Sequence, residues 1–239
     1  MDINMKGCNI QAWFIDELMK EFGKLMKEFK PVFDNCKIKL KVRIIDSTVQ
    51  LWEDEVSNIN RLSKKKLMDA FNKYIIESSG STMKAVFVGS FDKNGIYHLS
   101  YLGIHISSTA LNGFILRHID SIEDVLKMEK IAIRHELGHI MDFMSYEGMT
   151  ADTLLPLRKR IEKEKEEYYK MLANKIPTME DTIAYYKLEE EANANNLACV
   201  DIDEFIRLNK LVAKDYPNLE TDLKIEATYK EYKGDKNNE

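Results

Sequence analysis

Cysteine is scarce in this chain: Cys8, Cys36 and Cys199 are the only three, odd in number and far apart. They form no C-x-x-C pair, which excludes both a disulfide framework and a thiolate zinc site. Long apolar runs are absent too. None approaches the roughly 20 residues of a membrane-spanning helix, so no membrane partner is expected. Basic excess is also lacking: 35 Lys and Arg against 40 Asp and Glu leave a net charge of −5, which argues against nucleic acid or an anionic membrane as partner. The first residues, Met1-Asp-Ile-Asn-Met-Lys6, do not have the charged-then-apolar layout of a signal peptide, so the cytoplasm is the expected compartment. No repeat, low-complexity linker or domain boundary divides the 239 residues, and one domain spanning 1–239 is expected.

Histidine is sparse as well, 5 in all, yet two of them stand in Ile131-Ala-Ile-Arg-His-Glu-Leu-Gly-His-Ile140. His135, Glu136 and His139 spell H-E-x-x-H. On a helix, positions i and i+4 share a face, so the two imidazoles can bind one zinc ion, and Glu136 can reach a metal-bound water as general base. Ser121 with Asp124 reads as a capping box, and Ile122, Val125, Leu126, Ile131, Ile133, Leu137, Ile140, Met141 and Met144 recur on nearly every side until Gly148. This spacing predicts a long, mostly buried helix. Two histidines and a glutamate inside it need a partner, because an unpaired buried polar group costs several kcal/mol. Zn2+, one per chain, supplies that partner; a surface-facing stripe is the bland alternative.

Strands gather before this helix and helices follow it, an α+β order. Ile10 to Phe29 has helical spacing and ends at Pro31; this N-terminal helix (within 1–33) packs on the core, or offers its apolar face to a partner. Lys37 to Ile44 alternates basic and apolar residues as a half-buried strand with its lysines in solvent. An amphipathic helix is predicted from Leu67 to Ile75, ending near Gly80. Lys84 to Phe91 and Ile96 to Ser108 are strands joined through the turn Asp92-Lys-Asn-Gly95. Further helices are predicted over Leu154 to Ala173, from the capping box Thr178/Asp181 to about Cys199, from Asp201/Glu204 through Val212, and from Leu219 to Tyr232. The charged run Arg158 to Glu167 reads as a solvated face, and 234–239 as a disordered tail.

A catalytic zinc site usually has three protein ligands. The metzincin pattern needs glycine at 142 and histidine at 145, where this chain has Asp142 and Ser145. His98, His105 and His118 all precede the motif and read as structural. The candidate third ligand is Glu189, which shares a face with Asn193 at i+4; an amide there can accept the free N–H of a ligating histidine. Glu190 and Glu191 compete for the role, about 100° and 200° away on the helical wheel.

These residues carry a resemblance. His135-Glu-x-Gly-His139-x-x-Asp142, followed by Glu189-x-x-Ala-Asn193, resembles the gluzincin metallopeptidases, in particular the anthrax lethal factor-like peptidases and the Pro-Pro endopeptidases. The stretch also resembles the E-x-E-A-(N/D) segment of the repressor-cleaving ImmA/IrrE-like peptidases. The resemblance covers about residues 84–205. It implies a zincin-like fold, a small mixed sheet with flanking helices, an active-site helix and a helical C-terminal part. It further implies a metalloendopeptidase with His135, His139 and Glu189 as ligands, Glu136 as base, and Asn193 and Asp142 supporting the ligands. The substrate would be a protein or peptide, and a toxin-like effector acting inside a host cell fits the same group; from its place just before the active helix, the strand Tyr101 to Ser108 is the edge expected to take an extended peptide by strand addition. In the lethal factor-like group a tyrosine about two turns before the third ligand stabilises the oxyanion. That position is Thr182 here; Tyr185, on the face of Glu189, is the candidate, and a core tyrosine is the alternative. The rival from another class is a binding or regulatory domain that keeps the metal without turnover.

Overall fold

A computed structural model of the chain describes residues 9–45, 82–173 and 178–214. The helices expected over Leu67 to Ile75 and Leu219 to Tyr232, and the tail 234–239, lie outside the described residues. The architecture is mixed α+β. In chain order come α1 (Asn9–Glu28), α2 (Lys30–Phe33), β1 (Lys41–Ile45), β2 (Met83–Phe91), β3 (Tyr97–Ser107), α3 (Ser108–Arg117), a 3-10 turn (Ile119–Ser121), α4 (Ile122–Met144), α5 (Ala151–Leu172), α6 (Met179–Tyr185), α7 (Glu189–Leu197) and α8 (Ile202–Lys214). Among the described residues no helix is long and apolar enough to cross a membrane.

The sheet is small and mixed, in the order β1-β3-β2, with β1 parallel and β2 antiparallel to β3. The β2–β3 hairpin closes where the sequence places it. Asp92 Oδ1 accepts from the backbone N–H of Asn94 and Ile96, at 2.8 and 2.9 Å, and Gly95 takes φ +75°. β3 is the central strand, so its backbone is used on both sides. It cannot offer the free edge expected of Tyr101 to Ser108. The strands with one strand partner each, among the described residues, are the outer ones, β1 and β2, and it is β2 that lies against α4 at Glu136. One face of β3, Leu102, Ile104 and Ile106, is fully buried against the helices.

Helix α1 buries Phe14, Leu18 and Leu25, and α4 buries Val125, Ile133, Leu137 and Ile140, in one apolar cluster with the sheet. α4 runs through the middle and contacts α1, α7, α8, β2 and β3. Its start differs from the expected capping box. Ser121 sits in the 3-10 turn, and its hydroxyl donates to His118 O instead of accepting from the helix. β1 begins four residues later than the alternation suggested, and Lys41 and Arg43 lie over the Tyr101 ring, 5.5 Å from its centroid. Helix α3 was not anticipated; Ser107 caps it by accepting from Ala110 N–H, and Leu111 and Ile115 are buried one turn apart.

One buried acid inside α4 makes stability depend on pH. Glu129 is nearly inaccessible, and its carboxyl is pushed up to about 7, first by burial and then by the charge of Glu136, against a 2.6 Å hydrogen bond from Thr82 Oγ1. The folded state therefore holds this proton more tightly than the unfolded chain. Its contribution is complete below about pH 4.5 and is lost as pH rises through 7, on the order of 3 kcal/mol. Glu129→Gln cannot ionise, so urea midpoints compared at pH 5 and pH 8 should converge in that variant. An unchanged difference between the two pH values would contradict this origin.

Candidate metal centre

α4 presents His135 and His139 one turn apart, as the sequence spacing requires, with ring centroids 4.6 Å apart. The third member comes from α7, and it is Glu191. His135 Nε2 lies 3.1 Å from Glu191 Oε2, His139 Nε2 lies 3.2 Å from the same oxygen, and the two Nε2 atoms are 3.1 Å apart. All three residues are buried, and as a group they can hold a metal ion. The geometry fits one. A tetrahedral ion with bonds of 2.0–2.1 Å requires ligand atoms about 3.3 Å apart, close to the observed triangle.

The chemistry of the donors points the same way. His135 Nδ1–H donates to Asn195 Oδ1 at 2.7 Å, which leaves Nε2 of the neutral ring as a bare lone pair. A single proton cannot bond along all three edges of the triangle, whereas a cation at its centre serves each donor. Burial pushes His135 down, yet the hydrogen bond with Glu191 and the charges of Glu136 and Glu191 leave it above its ordinary value. Burial likewise opposes ionisation of Glu191, but both histidines and Lys165 hold its carboxyl well below the usual range. The pocket stabilises positive charge beside an ionised carboxylate.

Close approach of α7 to α4 makes this possible. A Cβ at Gly138 would sit 2.0 Å from the Ala194 carbonyl oxygen, so only glycine lets the backbones meet. Glu191, Ala194, Asn195 and Ala198 form the i, i+3, i+4, i+7 stripe turned toward α4, and all four are buried. The three glutamates occupy the first turn of α7, where the helix dipole favours negative charge, and Glu164 Oε2 accepts from Glu189 N–H at 2.8 Å to cap it.

Several expected assignments move. Glu189 is not in the cluster: its carboxylate pairs with Arg160, and Asn193 is exposed. The cause is a break in the helix expected from Thr178 to Cys199. The Thr178/Asp181 capping box forms, but α6 stops at Tyr185, Leu188 adopts extended backbone (φ −57°, ψ 146°), and α7 restarts in a new phase. The i, i+4 partnership survives two residues later, as Glu191 with Asn195. Tyr185, expected at the oxyanion, donates to Glu191 Oε1 at 2.8 Å and so faces the ligand itself. Asp142 accepts from Tyr146 OH at 3.0 Å and not from a histidine, while the buried His139 Nδ1 has no hydrogen-bond partner among the described residues. Glu136 reaches across to the sheet, where its Oε2 accepts from Ala85 N–H at 2.6 Å. His105 and His118 are buried away from the cluster, and His98 pairs with Glu147. The signal for Glu191 was present in Ala194 and Ala198, whose small side chains mark the packed face.

Comparisons with protein families, with characterised proteins and with solved structures find no match for this chain.

The geometry separates the three glutamates. Metal content of purified protein, measured by mass spectrometry, should be about one ion per chain in the wild type and in Glu189→Ala, and near zero in Glu191→Ala. Retention in Glu191→Ala with loss in Glu189→Ala would restore the original register.

Proposed function

We propose that this protein is a zinc-dependent metalloendopeptidase of zincin type. The observation that carries the reading is the buried triangle of His135 Nε2, His139 Nε2 and Glu191 Oε2 with Glu136 on the same helix, anchored beside it. Two imidazoles and one carboxylate, about tetrahedrally spaced, form a donor set typical of hydrolytic zinc. A zinc ion bound there would lower the pKa of a coordinated water to about 7 and polarise a substrate carbonyl.

The chain's own residues supply the rest. Glu136 is the general base: it takes a proton from the attacking water and returns it to the leaving amine. Ala85 N–H fixes one of its oxygens, and the other has no protein partner among the described residues, so it is available for proton transfer. The same contact sets the base against β2, and an extended peptide adding to the side of that strand away from β3 would bring its backbone to Glu136. Tyr185 orients Glu191, so the tyrosine left for the developing oxyanion is Tyr186. Its ring meets His135 edge-on at 5.8 Å, and burial, then the charges of Glu191 and Glu136, push its hydroxyl above the usual range. A tyrosine that stays protonated can donate.

Glu136→Gln keeps an acceptor for Ala85 N–H but cannot take the water's proton. Its zinc content and fold should match the wild type, while cleavage of a denatured protein mixture, read as new N-termini by mass spectrometry, should fall at least about 100-fold. Equal cleavage by the variant would remove Glu136 from the reaction. Zinc retention without any cleavage by the wild type would favour a binding domain.

A further inference from the structure

The charged run of α5 does not simply face solvent. Arg158 and Lys165 are seven residues apart, two turns along one helix face, and both reach into α7. Arg158 pairs with Glu190, and Lys165 bridges Glu190 and Glu191. Those carboxylates are adjacent in sequence and only 5% and 1% exposed, so each needs a compensating charge.

The contacts divide the Glu191 carboxylate into two halves. Oε1 receives Lys165 Nζ at 2.8 Å and Tyr185 OH at 2.8 Å. Oε2 faces the two histidine Nε2 atoms at 3.1 and 3.2 Å. A carboxylate is free to bind a cation through one oxygen or through both, and the choice decides how many positions remain for water and substrate. We propose that Lys165 is a positioning residue that, with Tyr185, keeps Oε1 bonded to protein so that Glu191 ligates the metal through Oε2 alone. This rests on the metal centre proposed above. Lys165 pairs with Glu190 and Glu191 and not with the histidines or Glu136, so its effect on the metal passes through Glu191. It also divides its charge between two buried carboxylates, which Arg158 alone would leave undercompensated.

Cobalt(II) tests the assignment without recourse to turnover, because four-coordinate cobalt absorbs visible light more strongly than five- or six-coordinate cobalt. Apo-protein is titrated with cobalt(II), and zinc affinity is measured by competition with a chromophoric chelator. The wild type should give intense bands. Lys165→Met should give weaker bands and bind zinc about 10–100-fold less tightly, and Lys165→Arg should recover most of both. Tyr185→Phe, which removes the other donor to Oε1, should shift the spectrum in the same direction and tests the idea even if Lys165→Met fails to fold by circular dichroism. Wild-type spectra and affinity in Lys165→Met and Tyr185→Phe would overturn the inference while leaving the metal centre intact. Weaker binding with an unchanged spectrum and no recovery in Lys165→Arg would reduce Lys165 to a structural role and overturn it as well. A wild type that binds neither cobalt nor zinc would overturn the metal centre and this inference together.

Discussion

The structure turns on one burial problem: a carboxylate, Glu191, sits 1% exposed against two imidazole nitrogens, Nε2 of His135 and Nε2 of His139. Removing an ionised group from water costs several kcal/mol even after the protein relaxes. The surrounding elements answer that cost one by one. Gly138 lets α7 come close enough for the contact. Tyr185 and Lys165 take the second oxygen. Asn195 fixes the tautomer of His135, and the first turn of α7 lends its dipole. Together these arrangements keep Glu191 ionised and hold the His135 ring in place beside it, which is why the cluster reads as a cation site and not as a chance meeting of polar groups.

The sheet bears on the proposed function through its outer strand β2. β3 is enclosed by β1 and β2, and the backbone that meets α4 at Glu136 belongs to β2. A single hydrogen bond from Ala85 N–H therefore ties three things together: the side of β2 away from β3, the candidate base and the histidine pair on the same helix. The far end of the hairpin is tied down as well, since Gly148 N–H donates to Tyr97 O and Tyr97 N–H to Met149 O at the end of α4. The distance between strand and helix is thus fixed at both ends.

Much of this was legible beforehand for identifiable reasons. The 3.6-residue periodicity of α4 persists for about six turns, long enough to override local ambiguity, and H-E-x-x-H carries its own geometry. The hairpin announced itself through Asp92 and Gly95, and Thr178/Asp181 through its capping box. What escaped reading was phase. Nothing in Tyr185-Tyr-Lys-Leu188 resembles a helix stop: no glycine or proline is present, and the break is made by Leu188 burying its side chain from extended backbone. A two-residue shift then exchanged Glu189 for Glu191 while preserving the pairing with an asparagine at i+4. The charged run of α5 misled for a related reason. Composition alone cannot distinguish a lysine in water from one whose stem is covered and whose ammonium meets a buried carboxylate.

Anomalous diffraction at the zinc edge, from crystals of the protein grown with zinc, addresses the central claim most directly. The account expects one strong peak per chain, within bonding distance of His135 Nε2, His139 Nε2 and Glu191 Oε2, about 2.0–2.2 Å from each. A peak on Glu189, or an ordered cluster without zinc in which the two imidazoles and Glu191 simply share protons, would contradict it.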